Sequence, residues 1–272
     1  MDVQALPHLI STTPERPEEV ALAIAADEYP GLRDELCRHR LDAMGRTLAL
    51  KIARSQASAE GGEPLTLARV LCDFLHKELG FRGSDDYDDP RNNFFNDVLD
   101  RRTGSPVAMA VLHMAVGRRA GIDVEGIAFP GHFLVRIEGL YADPFEGGVP
   151  IDRERLLALA FETLGDRREA MASLEPVGPR TIAVRLLLNL QRIHRSRADH
   201  ARAMVVCDRL YDVTRAATHL VDRGVHALAL GATRVAIHDF EAYLSLNPGT
   251  DGAKRVRDLL RKARAVGAAP IN

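Results

Sequence analysis

Between Val107 and Val116 the chain carries almost no polar side chain: only His113 interrupts the run of Val, Ala, Met and Leu. Pro106 opens this segment and Gly121 follows it, as befits a helix start and stop. A helix that is apolar nearly all round has no face for water, so it has to be buried centrally, with other elements packed on every side. Whatever this chain folds into, the flanking segments must supply that coat.

Part of it is helical. Pro14 to Pro17 lead into a stretch in which Val20, Ala21, Ile24 and Ala25 keep a helical rhythm, broken at Pro30-Gly31. The spacing predicts a second helix over 33–54, with Leu36, Leu41, Met44, Leu48 and Ile52 on one face. After a break at Gly61-Gly62 a third runs from Thr66 to Leu79 and ends before Gly80. A further helix, capped by Asn92 or Asn93, is expected to run to Arg102. The rest of the coat is a sheet. Val124 to Phe129 reads as a strand, and His132 to Glu138 alternates strictly, with Phe133, Val135 and Ile137 on one side and His132, Leu134 and Arg136 on the other. Glu138-Gly139 is a turn candidate, and Leu140 to Phe145 returns as the next strand. The expected fold class is therefore α+β, with helices around a small antiparallel sheet over 14–170.

From Pro179 onward the pattern is helical, and a second, all-α region is expected over 180–265. Ala203, Cys207 and Leu210 recur 33 residues later as Ala236, Phe240 and Tyr243, with Gly224 upstream of the second copy and Pro248 after it. Small, bulky and aromatic residues at that step fit the tetratricopeptide pattern of stacked helix pairs, a scaffold for binding a protein or peptide partner. An unrelated helical bundle fits the same residues.

Charge and cysteine usage narrow the functions. With 36 basic and 38 acidic residues interspersed and a net charge of -2, electrostatic capture of nucleic acid is not expected. Cys37, Cys72 and Cys207 are far apart and form no CxxC, so neither a disulfide framework nor a zinc cluster is expected. In the acidic run Asp85, Asp86, Asp88, Asp89, Pro90 stands where a calcium loop needs glycine, and no glutamate closes the loop. No metal and no cofactor is expected. MDVQALPHLI lacks the features of a secretory signal, and no stretch approaches the ~18 apolar residues of a membrane span, so no membrane association and a cytoplasmic location are expected.

The informative stretch runs from Tyr87 to Gly148. If Glu138-Gly139 is a two-residue turn, Asp143 falls opposite Leu134 and becomes a same-face neighbour of His132. A carboxylate that accepts from one imidazole nitrogen leaves the other as a base. The bland alternative is that His132 bonds locally after the Pro130-Gly131 bend while Asp143 starts an Asp-Pro turn. Ser105, just before Pro106, suits a helix N-cap; it is also the one nearby candidate for a nucleophile. Asn92, Asn93 and Asn96 either cap a helix or offer amide donors to an oxyanion.

The order of a buried helix, then RRAG, then a strand carrying PGHF, then one carrying ADPF resembles the transglutaminase-like (papain-like) core. More closely, DEYPGL, YDDPRNNFFNDVL, GHFLVR, ADPFEGG and LNPG look like the bacterial SirB-type proteins, which join such a domain to tetratricopeptide repeats. The resemblance covers residues 18 to 260. It implies a cysteine at the helix start with the histidine and aspartate on successive strands. Here that cysteine position falls at Pro106, which has no nucleophilic atom. Two functions stand: a non-catalytic domain that binds a polypeptide or amide ligand, or an amide hydrolase or acyltransferase using His132 and Asp143 with Ser105 or water.

Overall fold

The computed structural model describes residues 6–57 and 66–267, so the break expected at Gly61-Gly62 lies outside the described residues. The chain divides into two compact units, Met1–Leu186 and Leu187–Asn272. Among the described residues the first begins with α1 (Leu6–Thr12), α2 (Pro17–Glu28), α3 (Asp34–Ala57) and α4 (Leu67–Cys72), which runs directly into a π-helical turn, Asp73–Glu78. Then come β1 (Arg82–Gly83), a 3-10 turn (Pro90–Asn92), α5 (Phe95–Arg101), β2 (Thr103–Gly104) and α6 (Pro106–Arg119). The sheet region follows as β3 (Val124–Ile127), β4 (Leu134–Ile137), β5 (Leu140–Asp143) and β6 (Val149–Ile151). Helices α7 (Arg153–Leu164) and α8 (Arg167–Ala172), strand β7 (Pro176–Val177) and the first part of α9 (Pro179–Ser196) complete it.

Helix α6 is the central element: from Val107 to Gly117 every residue except Met114 is buried. Helices α2 and α3 pack on it from one side and the sheet from another. Two glycines allow close approach. A Cβ at Gly45 of α3 would meet Arg119, and one at Gly117 would meet Val124 of β3 at 2.4 Å. At its C-terminal end Arg118 and Arg119 both donate to Glu18, which is fully buried, and Arg119 also pairs with Asp42. These cations lie where the helix dipole favours positive charge, and they tie α2 and α3 to the same end of α6.

The five-stranded sheet is antiparallel in the order β6-β5-β4-β3-β7. Glu138 and Gly139 have φ of 48° and 83°, the pair of positive values a two-residue type I′ hairpin requires. Pairing of Ile137 with Leu140 and Val135 with Ala142 sets the expected register. The mostly helical α+β architecture around a small antiparallel sheet, followed by a helical tail, is the one the periodicity predicts.

Several local expectations need correcting. Leu36 is 47% exposed, because the buried stripe of α3 passes through Cys37, Leu41 and Leu48, and Leu36 lies five positions before Leu41 and off that stripe. The N-cap of α5 is Phe94; Asn92 closes the preceding 3-10 turn and Asn93 precedes the cap, so neither caps the helix. The β4 strand starts at Leu134, leaving His132 and Phe133 before it. Leu134, on the side opposite Phe133 and Val135, is buried as well. It packs with Ile127, Phe129 and Tyr141 against Leu156, Ala160, Ala170 and Leu174 of the segment after the sheet. Asp152 and Asp166 cap α7 and α8 there, each accepting from a first-turn N–H.

The second unit contains the end of α9, then α10 (His200–Thr214), α11 (Thr218–Ala229), α12 (Thr233–Leu246) and α13 (Asp251–Gly267). Helices α10 and α12 start at the 33-residue step seen in the sequence, and Ala203, Cys207, Leu210, Ala236, Phe240 and Tyr243 are all buried. A Cβ at Gly224 would stand 2.6 Å from the Phe240 ring, so the glycine lets α11 sit on that ring. Among the described residues no helix is long and apolar enough to cross a membrane.

Candidate functional site

His132 is presented by a tight turn. Its N–H donates to the Phe129 carbonyl at 3.0 Å, across Pro130 and Gly131, whose φ is 72°. Proline second and a positive-φ glycine third are what a type II turn requires. Arg185 of α9 fixes the turn from behind, its Nη2 donating to the Phe129 and His132 carbonyls at 3.0 and 2.6 Å. Burial holds the Arg185 guanidinium below its ordinary value. Nothing in the sequence pattern singles out this arginine, since its target is main chain more than 50 positions away.

Asp143 ends β5 and is buried. Its Oδ1 accepts from the Phe145 and Glu146 N–H groups at 2.9 and 3.3 Å, which leaves Oδ2 for His132 Nε2–H at 2.8 Å. A carboxylate held by main-chain donors fixes the imidazole tautomer and its direction. Nδ1 is then the unprotonated nitrogen, and among the described residues no group bonds to it. The local-bend reading and the paired reading of His132 are thus both true of the same residue.

Phe145 connects this pair to the start of α6. Its ring meets His132 edge-on at 5.8 Å and stacks on Tyr87 at 5.8 Å. It also lies directly over Gly83, where a Cβ would come within 2.6 Å of the ring. Gly83 pairs with Gly104 through the parallel β1–β2 ladder, and Ser105 is the next residue. Ser105 occupies the N-cap position with extended backbone, its N–H donating to the Asn92 carbonyl at 2.8 Å. Its hydroxyl, however, makes no capping bond: Oγ is buried and unpartnered. The cap expected at Ser105 is therefore one of position without its hydrogen bond, and Oγ is not bonded to His132.

The asparagines do not converge. Asn92 Nδ2 donates to Ser84 Oγ at 2.9 Å and the Asp86 carbonyl at 2.6 Å, while its Oδ1 accepts from Arg101. Both amide hydrogens are used in holding the 84–92 loop, so Asn92 has none for an oxyanion. Asn93 is buried beside it. Asn96 lines a separate pocket with Tyr29 and Cys37.

Behind the turn after β5 lies a second buried group, Cys72 with His76 and His113. Gly148 has φ of 74° and sits on Cys72, where a Cβ would come within 2.4 Å of Sγ and 3.4 Å of His76 Cδ2. His76 Nδ1 faces the Phe81 carbonyl and His113 Nδ1 the Met109 carbonyl, each at 2.8 Å, and the two Nε2 atoms meet at 3.1 Å. With its hydrogen on Nδ1, each ring turns a bare lone pair to the other. Burial, reinforced by His76, pushes His113 down to about 3, and burial also lowers His76. Burial likewise pushes the Cys72 thiol up to about 12, the Cys207 thiol up to about 11 and the Cys37 thiol above its usual range. All three cysteines are buried thiols. Among the described residues no cluster of three or more His, Cys, Asp or Glu could hold a metal ion.

Comparison with known proteins places the chain in a family. Residues 35–188 match the family described as the transglutaminase-like superfamily. A UPF0162 protein of Xylella fastidiosa is 39% identical over 247 residues, covering 87% of this chain and 86% of the relative. One from Pseudomonas aeruginosa is 29% identical over 238 residues, 84% of each chain. A 77-residue stretch is 39% identical to mouse F-box only protein 21, covering 26% of this chain and 12% of that one. No solved structure matches. With most of the first unit matched and a relative 39% identical over 87% of the chain, the chain belongs to the transglutaminase-like superfamily, within the UPF0162 family.

Proposed function

We propose that this is a cytoplasmic, SirB-type binding protein in which His132, Asp143 and the N-terminus of α6 hold an amide group of a polypeptide ligand without cleaving it. Its tail would act as tetratricopeptide repeats that engage a protein partner. The observation that carries this reading is the contrast between a prepared base and absent thiolates. His132 Nδ1 is oriented and unpartnered, whereas every cysteine is buried with a raised pKa and Pro106 stands at the nucleophile position. An oriented imidazole accepts a hydrogen bond from an amide N–H as readily as it abstracts a proton. The first N–H groups of α6 favour a carbonyl oxygen or an anion.

One observation favours a second reading, hydrolysis or acyl transfer by Ser105 or water: the Ser105 hydroxyl is buried and has no partner. The experiment that separates the two is turnover of a panel of amide and ester substrates by the wild type and by Ser105→Ala and His132→Ala. The binding reading expects no turnover by any of the three. Turnover by the wild type that Ser105→Ala abolishes, in a protein that still folds, makes Ser105 the nucleophile and refutes it.

A further inference from the structure

The near-neutral charge of the whole chain conceals an uneven division. With histidine counted as neutral, the first unit holds 22 basic and 30 acidic residues, a net -8, and the second 14 and 8, a net +6. Within the second unit the excess concentrates on α13. There Lys254, Arg255, Arg257, Arg261, Lys262 and Arg264 are all exposed, and Asp251 and Asp258 are the only acids. The apolar stripe of this helix, Ala253, Val256, Leu260 and Ala263, is buried.

This concentration runs against what a solvated helix favours. Lys254 closes the first turn and Arg255 follows it, at the end where the helix dipole disfavours cations. Arg257 and Arg261 are four positions apart, and Lys254–Arg257 and Arg261–Arg264 three apart, all spacings at which like charges repel. Exposed helices ordinarily mix signs, with glutamate four residues before a lysine or arginine, but α13 has no glutamate. Two of its cations are answered within the unit, Arg261 by Asp258 and Arg264 by Glu241, while Arg257 donates to the Pro248 carbonyl. Lys254, Arg255 and Lys262 make no ion pair among the described residues. A local rule broken with no compensation inside the fold is the mark of a surface shaped for something outside it.

We propose that the outer face of α13 docks an acidic helical segment of a protein partner, its carboxylates in pairs two turns apart with a cation between them. This rests on the reading of the tail as a partner-binding unit and names the chemistry of that partner. Opposite the buried stripe the face runs Lys254 and Arg255, then Asp258, then Arg261 and Lys262, the two basic pairs lying seven residues or about 10 Å apart. Its complement is two carboxylates, one cation and two carboxylates at the same steps, which a polypeptide helix can supply. A nucleic-acid backbone has no positive charge to meet Asp258, and α13 carries no aromatic, asparagine or glutamine side chain to stack on or read a base. A membrane surface fits less well, because the apolar stripe that would enter it is already buried.

The test titrates the full-length, 15N-labelled protein at physiological ionic strength with acetyl-Glu-Glu-Ala-Ala-Lys-Ala-Ala-Glu-Glu-amide and follows the main-chain amides of α13 by NMR. Saturable shifts there are expected, strengthening as salt is lowered. Replacing the peptide's lysine by glutamate should weaken binding, and reversing every charge in the peptide should abolish it. The double variant Lys254→Glu/Lys262→Glu alters two exposed side chains that make no ion pair, so the protein should fold as before. Its affinity for the acidic peptide should fall about tenfold, and the charge-reversed peptide should now bind. No saturable shift on α13, indifference to the double substitution, or tighter binding of a DNA duplex under the same conditions would overturn the proposal. Saturable shifts confined to other helices of the tail would overturn it while leaving the tail as a binding unit. His132→Ala should change nothing here, which keeps this test separate from that of the first unit's site.

Discussion

Replacing Ser105 by alanine should stabilise the first unit. At an N-cap with a formed side-chain bond the same change costs about 0.5–2 kcal/mol. Ser105 has the cap's backbone conformation but not its bond, and its Oγ lies buried without a partner. An unsatisfied buried hydroxyl is destabilising by about 1–3 kcal/mol, and alanine removes that penalty while keeping Cβ. The loss of a few dispersion contacts from one oxygen offsets part of it, at ~0.1–0.2 kcal/mol per atom pair. The net expectation is a gain of about 1 kcal/mol, equivalent to roughly 2–4 °C in Tm for a domain of this size class. Hydrogen exchange of the α6 amides is the suitable assay, because their slowest opening reports unfolding of that unit without a contribution from the tail. A loss of about 1 kcal/mol or more in the alanine variant would show that Oγ caps the helix after all. The orphaned hydroxyl, and with it the motive for a serine-based reading, would then disappear.

Other consequences are equally direct. Iodoacetamide should modify none of the three thiols in the folded protein at neutral pH at more than a small fraction of the unfolded rate, since burial holds Cys72 up at about 12 and Cys207 at about 11; one fast cysteine by mass spectrometry refutes this. Gly148→Ala should cost at least about 2 kcal/mol more than Gly147→Ala in thermal unfolding. Both have positive φ, but only at Gly148 would the new Cβ strike Cys72 Sγ. His113 has a folded pKa of about 3 against an unfolded value near 6.5, so its stabilising contribution is complete above the unfolded value and is lost as pH falls from there toward about 3. His113→Leu should flatten that acid slope by up to about 1.4 kcal/mol per pH unit, read from urea midpoints across pH 4–7. Arg185→Met should leave the His132–Asp143 bond formed but loosen the turn carrying it, visible as broadened His132 imidazole signals; unchanged signals refute the bracing role.

What the sequence made legible is what local periodicity encodes. The all-apolar run could only be a central helix, and the alternation on either side of Glu138-Gly139 gave both hairpin and register, hence the proximity of His132 and Asp143. The misses share a cause: each depends on contacts distant in sequence. Strand alternation put Leu134 on the side opposite Phe133 and Val135 without saying what covers that side, because the helices that do so come later in the chain, in a stretch with caps at Asp152 and Asp166 but little else to mark it. Asn92 looked like a cap because short polar residues before a helix usually are, whereas a folded-back loop uses it as a brace. Nothing local to Cys72 says that a glycine 76 positions later rests on it.

The π-helical turn over Asp73–Glu78 has a consequence for how this domain tolerates change. Its N–H groups reach five residues back, as Leu79 does to Phe74 at 3.0 Å, so the segment holds more chain per turn than an α-helix does. Removing one residue from it would let the helix close into ordinary α geometry while everything downstream keeps its phase, because the wide turn holds the one residue that an α turn would not. His76 stands inside that turn, its Nδ1 facing the Phe81 carbonyl and its Nε2 meeting His113. A deletion that spares His76 would be absorbed where it falls, whereas the loss of His76 itself removes both contacts. The place of a deletion along this stretch, more than its length, decides what is lost.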